Sequence, residues 1–180
     1  EKVLTIVGFG RIGTRLARRA LAFDMDVRVC DPYVDDTLIR EAGCTPVDDF
    51  RTVLPETDFL TVHCPLNDET RHLVGRAELQ SMRPDSFVVN CARGGIIDEN
   101  ALSEALDDDT IAGAGVDVYE VEPPPANHPL LRSDKVFLSP HSAGVSVEAA
   151  RRMSSETATN LIDALEGRLR TAALANPAIA

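Results

Sequence analysis

The sequence predicts an α/β domain built on a doubly wound parallel sheet of about seven strands with helices on both faces. Three observations carry that prediction. Short β-branched runs alternate with helical patterns along the whole chain, the order produced by parallel strands covered by helices. A glycine-patterned turn, Gly8-Phe9-Gly10-Arg11-Ile12-Gly13, follows the first run and opens a helix. The 180 residues, 44% apolar and 26% charged, suffice to bury one substantial core, so one domain over 1–180 is expected.

The strands are read as Val3 to Val7, Val27 to Cys30, Thr45 to Val47, Phe59 to His63, Phe87 to Cys91, Ala112 to Val118 and Val136 to Leu138. Between the first two, Ile12 to Phe23 puts Ile12, Leu16, Ala20 and Phe23 on one stripe, the spacing of a helix packed on a sheet. Asp98 is placed to cap a helix over Glu99 to Leu106. Ser146 precedes a long helical stretch in which Val147, Ala150, Met153, Leu161 and Leu165 share a face, with Gly167 as its stop. Asp107-Asp108-Asp109 reads as a solvated turn, and Pro123-Pro124-Pro125 is the stiffest irregular segment.

Composition excludes several functions. Acids outnumber bases by 29 to 18, for a formal charge of −11, so no basic face is available to neutralise nucleic-acid phosphates. An anion bound by this chain must instead be held by local backbone amides and single arginines in a defined pocket. No apolar run approaches the roughly 20 residues needed to cross a bilayer. The N-terminus runs directly into VLTIVGFG without a basic segment and cleavage site, so a cytoplasmic location is expected. Cys30, Cys44, Cys64 and Cys91 lack paired spacing and His63, His72, His128 and His141 are scattered, so no metal site is expected.

The glycine turn sits where its chemistry requires. Gly8 permits the tight turn, Gly10 lets the backbone approach a pyrophosphate, and Gly13 allows close helix–strand packing. The helix N-terminus then offers amides and a positive dipole end to the anion. The second strand ends in Asp31, 18 residues beyond Gly13, where a carboxylate can accept hydrogen bonds from adenosine ribose hydroxyls. Such a carboxylate repels a 2′-phosphate, which favours NAD over NADP. Alternatively, Asp31 only begins a turn before Pro32.

With this fingerprint in place, the chain resembles the D-2-hydroxyacid dehydrogenase family nearly end to end, through VGFGRIG, HCPLNDETRHLVG, MRPDSFVVNCARGGIIDENAL, AGAGVDVYEVEPPP and SPHSAG. The resemblance implies a Rossmann domain that binds NAD. It implies that Arg11 and Ile12 line the pyrophosphate, that Cys64 and Pro65 border the adenosine, that Cys91 and Ala92 flank the nicotinamide, and that Asp117 takes its amide. It also places Pro32, His63, Thr70, Ala143 and Gly144 along the cofactor. For Cys64, Pro65, Cys91 and Ala92 ordinary strand-end packing is the alternative, and His63 by itself reads as a packing residue, as His72 reads as a surface one. Asp117 is harder to assign to packing, because a carboxylate ending an apolar strand is costly without a partner.

Reducing a 2-oxo acid needs a carboxylate clamp, a hydride donor and a proton source. Arg93 follows the fifth strand at the carboxyl edge of the sheet, and its planar fork matches a carboxylate bidentately. His141 follows Ser139-Pro140 at the end of the last strand, where an imidazole can exchange the proton. The resemblance sets Glu122 against His141, where its charge favours imidazolium and selects the tautomer. Taken singly, Arg93 reads as a surface charge and His141 as structural; their ordered occurrence with Glu122 favours catalysis, and Arg93 and His141 then also border the cofactor.

The resemblance further implies a small 2-hydroxy or 2-oxo acid substrate and a homodimer formed through this domain. In the family the substrate-facing lid domain is built mainly from sequence before the nucleotide fold and some at the C-terminus, whereas this chain opens two residues before its first strand, so a piece of a longer protein is expected, with that first part absent. An NAD(H)-sensing, corepressor-like module without turnover is the competing reading. Related nucleotide domains of other enzymes are disfavoured by NCARGGIIDE.

Overall fold

The computed structural model of the chain describes residues 2–168, 170–174 and 176. They fall into two compact units, residues 1–141 and residues 142–180. In the first, strands β1 (Val3–Val7), β2 (Asp26–Cys30), β3 (Thr45–Pro46), β4 (Phe59–Val62), β5 (Phe87–Asn90), β6 (Gly113–Val116) and β7 (Val136–Leu138) form one sheet. Its order is β3-β2-β1-β4-β5-β6-β7 and every neighbouring pair is parallel. The predicted doubly wound sheet is therefore present, each strand within two residues of its expected bounds.

Val7 pairs with Cys30 on one side and Val62 on the other, so β1 ends level with β2 and β4. The strand order reverses at β1, and the connections leave β1 and β4 in opposite directions. A crevice opens there at the carboxyl ends of the strands, the position where such sheets bind ligands.

The period-two pattern of the strands fills both faces. Leu4, Ile6, Val27 and Val29 pack with Ala17, Ala20, Ile39 and Cys44 on one side. Val7, Cys30, Leu60, Val62 and Val88 pack with Phe50, Leu54, Leu102 and Leu106 on the other. Each such Leu or Ile taken from water contributes roughly 1.5–3 kcal/mol. Thr5, buried in the middle of β1, is satisfied by a 2.7 Å hydrogen bond between its Oγ1 and that of Thr57.

Helix α1 (Gly13–Leu21) keeps the middle of the predicted stripe, with Ala20 buried and Leu16 packed against the core, and corrects its two ends. Ile12 and Phe23 are 62% and 82% exposed, and the buried positions are Gly13, Ala17 and Ala20. The reason is close approach. A Cβ at Gly13 would stand 2.2 Å from the Gly8 carbonyl oxygen, so the helix lies too near the sheet for a bulky face, and small residues make the contact. Phe23 lies beyond the helix in a turn closed by its N–H on the Ala20 carbonyl at 2.9 Å.

Helix α4 (Glu99–Asp107) begins as expected, with Asp98 accepting the Asn100 and Ala101 N–H groups at 3.0 and 3.1 Å. The short helices α2 (Asp36–Glu41) and α3 (Arg76–Gln80) and the 3-10 segments Phe50–Glu56 and Pro129–Arg132 were not foreseen. They are too brief to display an apolar stripe, but capping marks two of them. Asp35 accepts the Thr37 N–H at 2.7 Å and Asp49 the Arg51 N–H at 3.0 Å.

The second unit contains α5 (Val147–Leu165), capped by Ser146, whose Oγ accepts the Ala149 N–H at 3.1 Å, and followed by Gly167 at φ +70°. The expected start and stop are both in place. Its apolar face is exposed: α5 buries no side chain. Among the described residues no helix is long and apolar enough to cross a membrane.

Candidate active site

The crevice beside β1 is a cavity of about 550 Å³. Gly8, Gly10, Asp31, Pro32, His63, Cys64, Pro65 and Thr70 all line it. Gly8 takes φ +100°, and a Cβ there would fall 2.7 Å from the Cys64 nitrogen, so only glycine lets the turn after β1 press against the turn after β4. Gly10 faces open space, and no side chain caps the N-terminus of α1. Both features leave room for an anion over the turn.

Asp31 is held by two backbone amides. Its Oδ2 accepts the Phe9 N–H at 2.7 Å and its Oδ1 the Tyr33 N–H at 3.0 Å, tying the glycine turn to the loop after β2. Each oxygen keeps a lone pair for a further donor, so the carboxylate serves the turn and still presents an acceptor to the cavity.

A second set of residues gathers at the carboxyl ends of β5, β6 and β7. The backbone links these ends in series: Asp117 N–H donates to the Asn90 carbonyl at 3.0 Å and His141 N–H to the Asp117 carbonyl at 2.8 Å. Asn90, buried at the end of β5, shapes the turn that follows. Its Nδ2 donates to the Arg93 carbonyl at 2.9 Å and its Oδ1 accepts the Ala92 N–H at 3.0 Å. Arg93 itself is exposed, with Nη1 2.6 Å from the Ala92 carbonyl oxygen.

His141 and Glu122 meet. His141 Nδ1 lies 2.8 Å from Glu122 Oε2, and Glu122 Oε1 accepts the Tyr119 N–H at 3.0 Å. His141 adopts φ +53°, a left-handed conformation uncommon for a residue with a side chain, held here by its own N–H bond to Asp117. Asp117 is buried, and its Oδ1 accepts from Ser139 Oγ at 2.5 Å.

The family model for the D-isomer specific 2-hydroxyacid dehydrogenase NAD binding domain matches residues 1–143. D-3-phosphoglycerate dehydrogenase of Methanocaldococcus jannaschii is 40% identical over 168 residues, covering 93% of this chain and 32% of that protein. Glyoxylate reductase of Thermococcus litoralis is 42% identical over 168 residues, covering 93% of this chain and 50% of its own length. Among solved structures, the NAD complexed form of a D-isomer specific 2-hydroxyacid dehydrogenase from Lactobacillus delbrueckii ssp. bulgaricus superposes with a TM-score of 0.84 at 28% identity, covering 97% of this chain and 56% of that one.

The chain belongs to the D-isomer specific 2-hydroxyacid dehydrogenase family. NAD is the cofactor of this domain. The chain spans about a third to a half of the length of the curated relatives it matches.

The dehydrogenase domain offers NAD a fitting set of groups: the open turn at Gly10 and the Asp31 carboxylate line one crevice, and the helix that this turn leads into has no side-chain cap. Burial lowers the pKa of His63 from its ordinary 6.5 and raises that of Cys64, so both present neutral surfaces to the cavity. Burial, and after it the Asp117 charge, also raises the Cys91 thiol. Glu122 is held below the usual carboxylate range, first by its hydrogen bond with His141, then by the Tyr119 N–H, with the charge of Arg93 contributing.

Arg11 and Ile12 are exposed on the turn, while Gly13 is buried beneath it. Cys91, Ala92, Arg93, Asp117 and His141 belong to the β5–β7 edge, apart from the lining of the β1 crevice. Ala143 and Gly144 fall in the second unit, both exposed. The sequence reading missed Tyr33, Arg51 and Glu69, which also line the cavity; Tyr33 Oη donates to Glu69 Oε2 at 2.9 Å. It missed Asn90 and Ser139 as supports as well. The available signal was a polar residue closing an otherwise apolar run, as in Phe87-Val88-Val89-Asn90.

Proposed function

We propose that the whole protein transfers hydride between NAD(H) and a D-2-hydroxy acid or its 2-oxo counterpart, with Arg93, Glu122 and His141 as its catalytic residues. The observation that carries the proposal is the 2.8 Å contact of His141 Nδ1 with Glu122 Oε2 at the carboxyl edge of the sheet. An imidazole whose Nδ1 is committed to a carboxylate presents Nε2 as its proton-exchanging atom.

NAD, when bound, supplies or accepts the hydride. The residues do the rest. The guanidinium of Arg93 grips the substrate carboxylate and draws electron density from the adjacent carbonyl, and its fork fixes the orientation of the acid. His141 Nε2 gives its proton to the substrate oxygen in reduction and recovers it in oxidation. Glu122 holds the ring and balances the imidazolium that proton uptake creates. For the cofactor, Gly8, Gly10, Arg11, Ile12 and Gly13 would hold the pyrophosphate, Asp31 and Pro32 the ribose, and His63, Cys64, Pro65 and Thr70 the adenosine side. Cys91, Ala92 and Asp117 would border the nicotinamide.

The relatives named for D-3-phosphoglycerate and glyoxylate support a short acid whose carboxylate adjoins the reacting carbon. We further propose a homodimer joined through this domain, which rests on family resemblance, and a cytoplasmic location. The test is a panel of 2-oxo acids with NADH and the full-length protein, followed by loss of nicotinamide absorbance. Consumption with at least one short acid is expected, and none with any of them rejects the reaction.

A further inference from the structure

Glu99, the first residue of α4, places one carboxylate between the two ends of the segment that carries Glu122. Its Oε1 accepts the Glu120 N–H at 2.7 Å, and its Oε2 lies 2.8 Å from His128 Nε2. The Glu99 and His128 side chains are 12% and 10% exposed, so the contact is largely shielded from water. His128 is also set edge-on to the Tyr119 ring, at 5.9 Å between centroids. Glu122, in contrast, is well exposed at 38%, and the hydrogen bonds that hold its carboxylate are those to His141 and the Tyr119 N–H.

The same residues meet the loop that carries Arg93. A Cβ at Gly94 would fall 1.9 Å from the Tyr119 carbonyl carbon and 2.3 Å from the Glu120 nitrogen, so the two loops touch backbone to backbone. Glu99 stands five residues beyond Gly94, at the start of the helix that this loop leads into. One largely shielded carboxylate thus joins the Arg93 loop to both ends of residues 120–128.

We propose that Glu99, together with His128, is a positioning residue that fixes the 120–128 loop so that Glu122 reaches His141 while Arg93 stays in register beside it. A carboxylate suits this task because it can accept from a backbone amide and an imidazole at once, at opposite oxygens. The assignment rests on the reaction proposed above for its kinetic consequence, but the geometry it predicts at His141 does not depend on turnover.

The experiment uses the full-length protein, NADH and whichever 2-oxo acid it consumes fastest. Glu99→Ala is expected to lower kcat on the order of 10²-fold, the scale of an ångström-sized misplacement, with the KM for NADH unchanged. Glu99→Gln, which keeps an oxygen for the Glu120 N–H, is expected to recover most of that loss. In a Glu122→Gln background Glu99→Ala should add little, because both changes remove the same support. An unchanged kcat, or losses that simply multiply, overturns the assignment. If Glu99→Ala does not fold, His128→Asn, which frees only one end of the loop, is carried through the same cycle with a smaller loss expected. Ring-nitrogen resonances of isotope-labelled protein give a readout free of activity: Glu99→Ala should move the His141 signals in the direction that Glu122→Gln moves them. Unmoved His141 signals overturn the clamp, whereas a wild-type protein that consumes no 2-oxo acid rejects the reaction and leaves this resonance test to decide the clamp.

Discussion

Glu122 divides its two oxygens between His141, 2.8 Å away at Nδ1, and the backbone N–H of Tyr119 at 3.0 Å. The division orients the carboxylate in its plane, so the histidine ring meets an acceptor whose direction the backbone sets. Glu122→Gln keeps the shape and removes the charge. We expect kcat to fall on the order of 10²-fold, at the lower end of what acid–base catalysis contributes. Steady-state kinetics of the full-length variant checks it, and a wild-type kcat would remove Glu122 from the proton-exchange machinery.

The pH dependence of this pair follows from the lowered Glu122 pKa, caused first by the His141 hydrogen bond and then by the Tyr119 N–H. A carboxyl depressed by folding contributes stability above its ordinary value of 4.5, and loses it as pH falls through the depressed one. The carboxylate therefore stays charged throughout the neutral range. Any acid limb in kcat/KM near neutrality must belong to another group, and Glu122→Gln should leave that limb present while lowering the plateau. Disappearance of the limb in the variant would contradict this.

His141→Ala removes the proposed proton exchanger without touching the cavity beside β1. Turnover should fall by about 10²–10⁴-fold while NADH affinity, read by fluorescence titration, stays nearly constant. A variant that turns over normally rejects the role.

Asp31→Ser tests the ribose site. Loss of a charge-assisted bond is worth about 1.5–3 kcal/mol, tenfold or more in NAD affinity, and removing the negative charge should let NADP gain on NAD. Calorimetric titration with both cofactors measures the ratio, and a ratio equal to that of the wild type removes Asp31 from cofactor selection.

His63 links the cavity to stability. Burial depresses its pKa below 6.5, so the unfolded chain binds the proton more readily than the folded one. Its contribution to stability is present above 6.5 and is lost as pH falls below that value toward the folded-state pKa. Melting temperatures between about pH 7 and pH 5 should fall less steeply for His63→Gln than for the wild type. Parallel slopes would show that His63 is not titrating with folding.

Much of the nucleotide crevice was legible in the sequence because the signals that make it are local. Gly8, Gly10 and Gly13 act within one turn, Asp31 closes an adjacent apolar run, and period-two alternation marks each strand wherever it lies. The packing face of α1 was legible only in part. The stripe from Ile12 to Phe23 has helical spacing and its inner members Leu16 and Ala20 do pack inward, but the separation between helix and sheet is set by the contact of Gly13 with Gly8, and that distance puts Gly13 and Ala17 on the buried face in place of Ile12 and Phe23.

Residue types and their order along the chain were enough to predict the sheet and the glycine turn, and the family resemblance singled out Arg93, Glu122 and His141 as candidates. What only the tertiary structure decided is the meeting of Glu122 with His141. Glu122 and His141 are 19 residues apart in irregular segments, and they touch because β6 and β7 are neighbours whose ends are tied through Asp117. The supports Asn90 and Glu99 carry no periodic signature, since a shielded polar side chain takes its role from which polar groups folding leaves within about 3 Å of it.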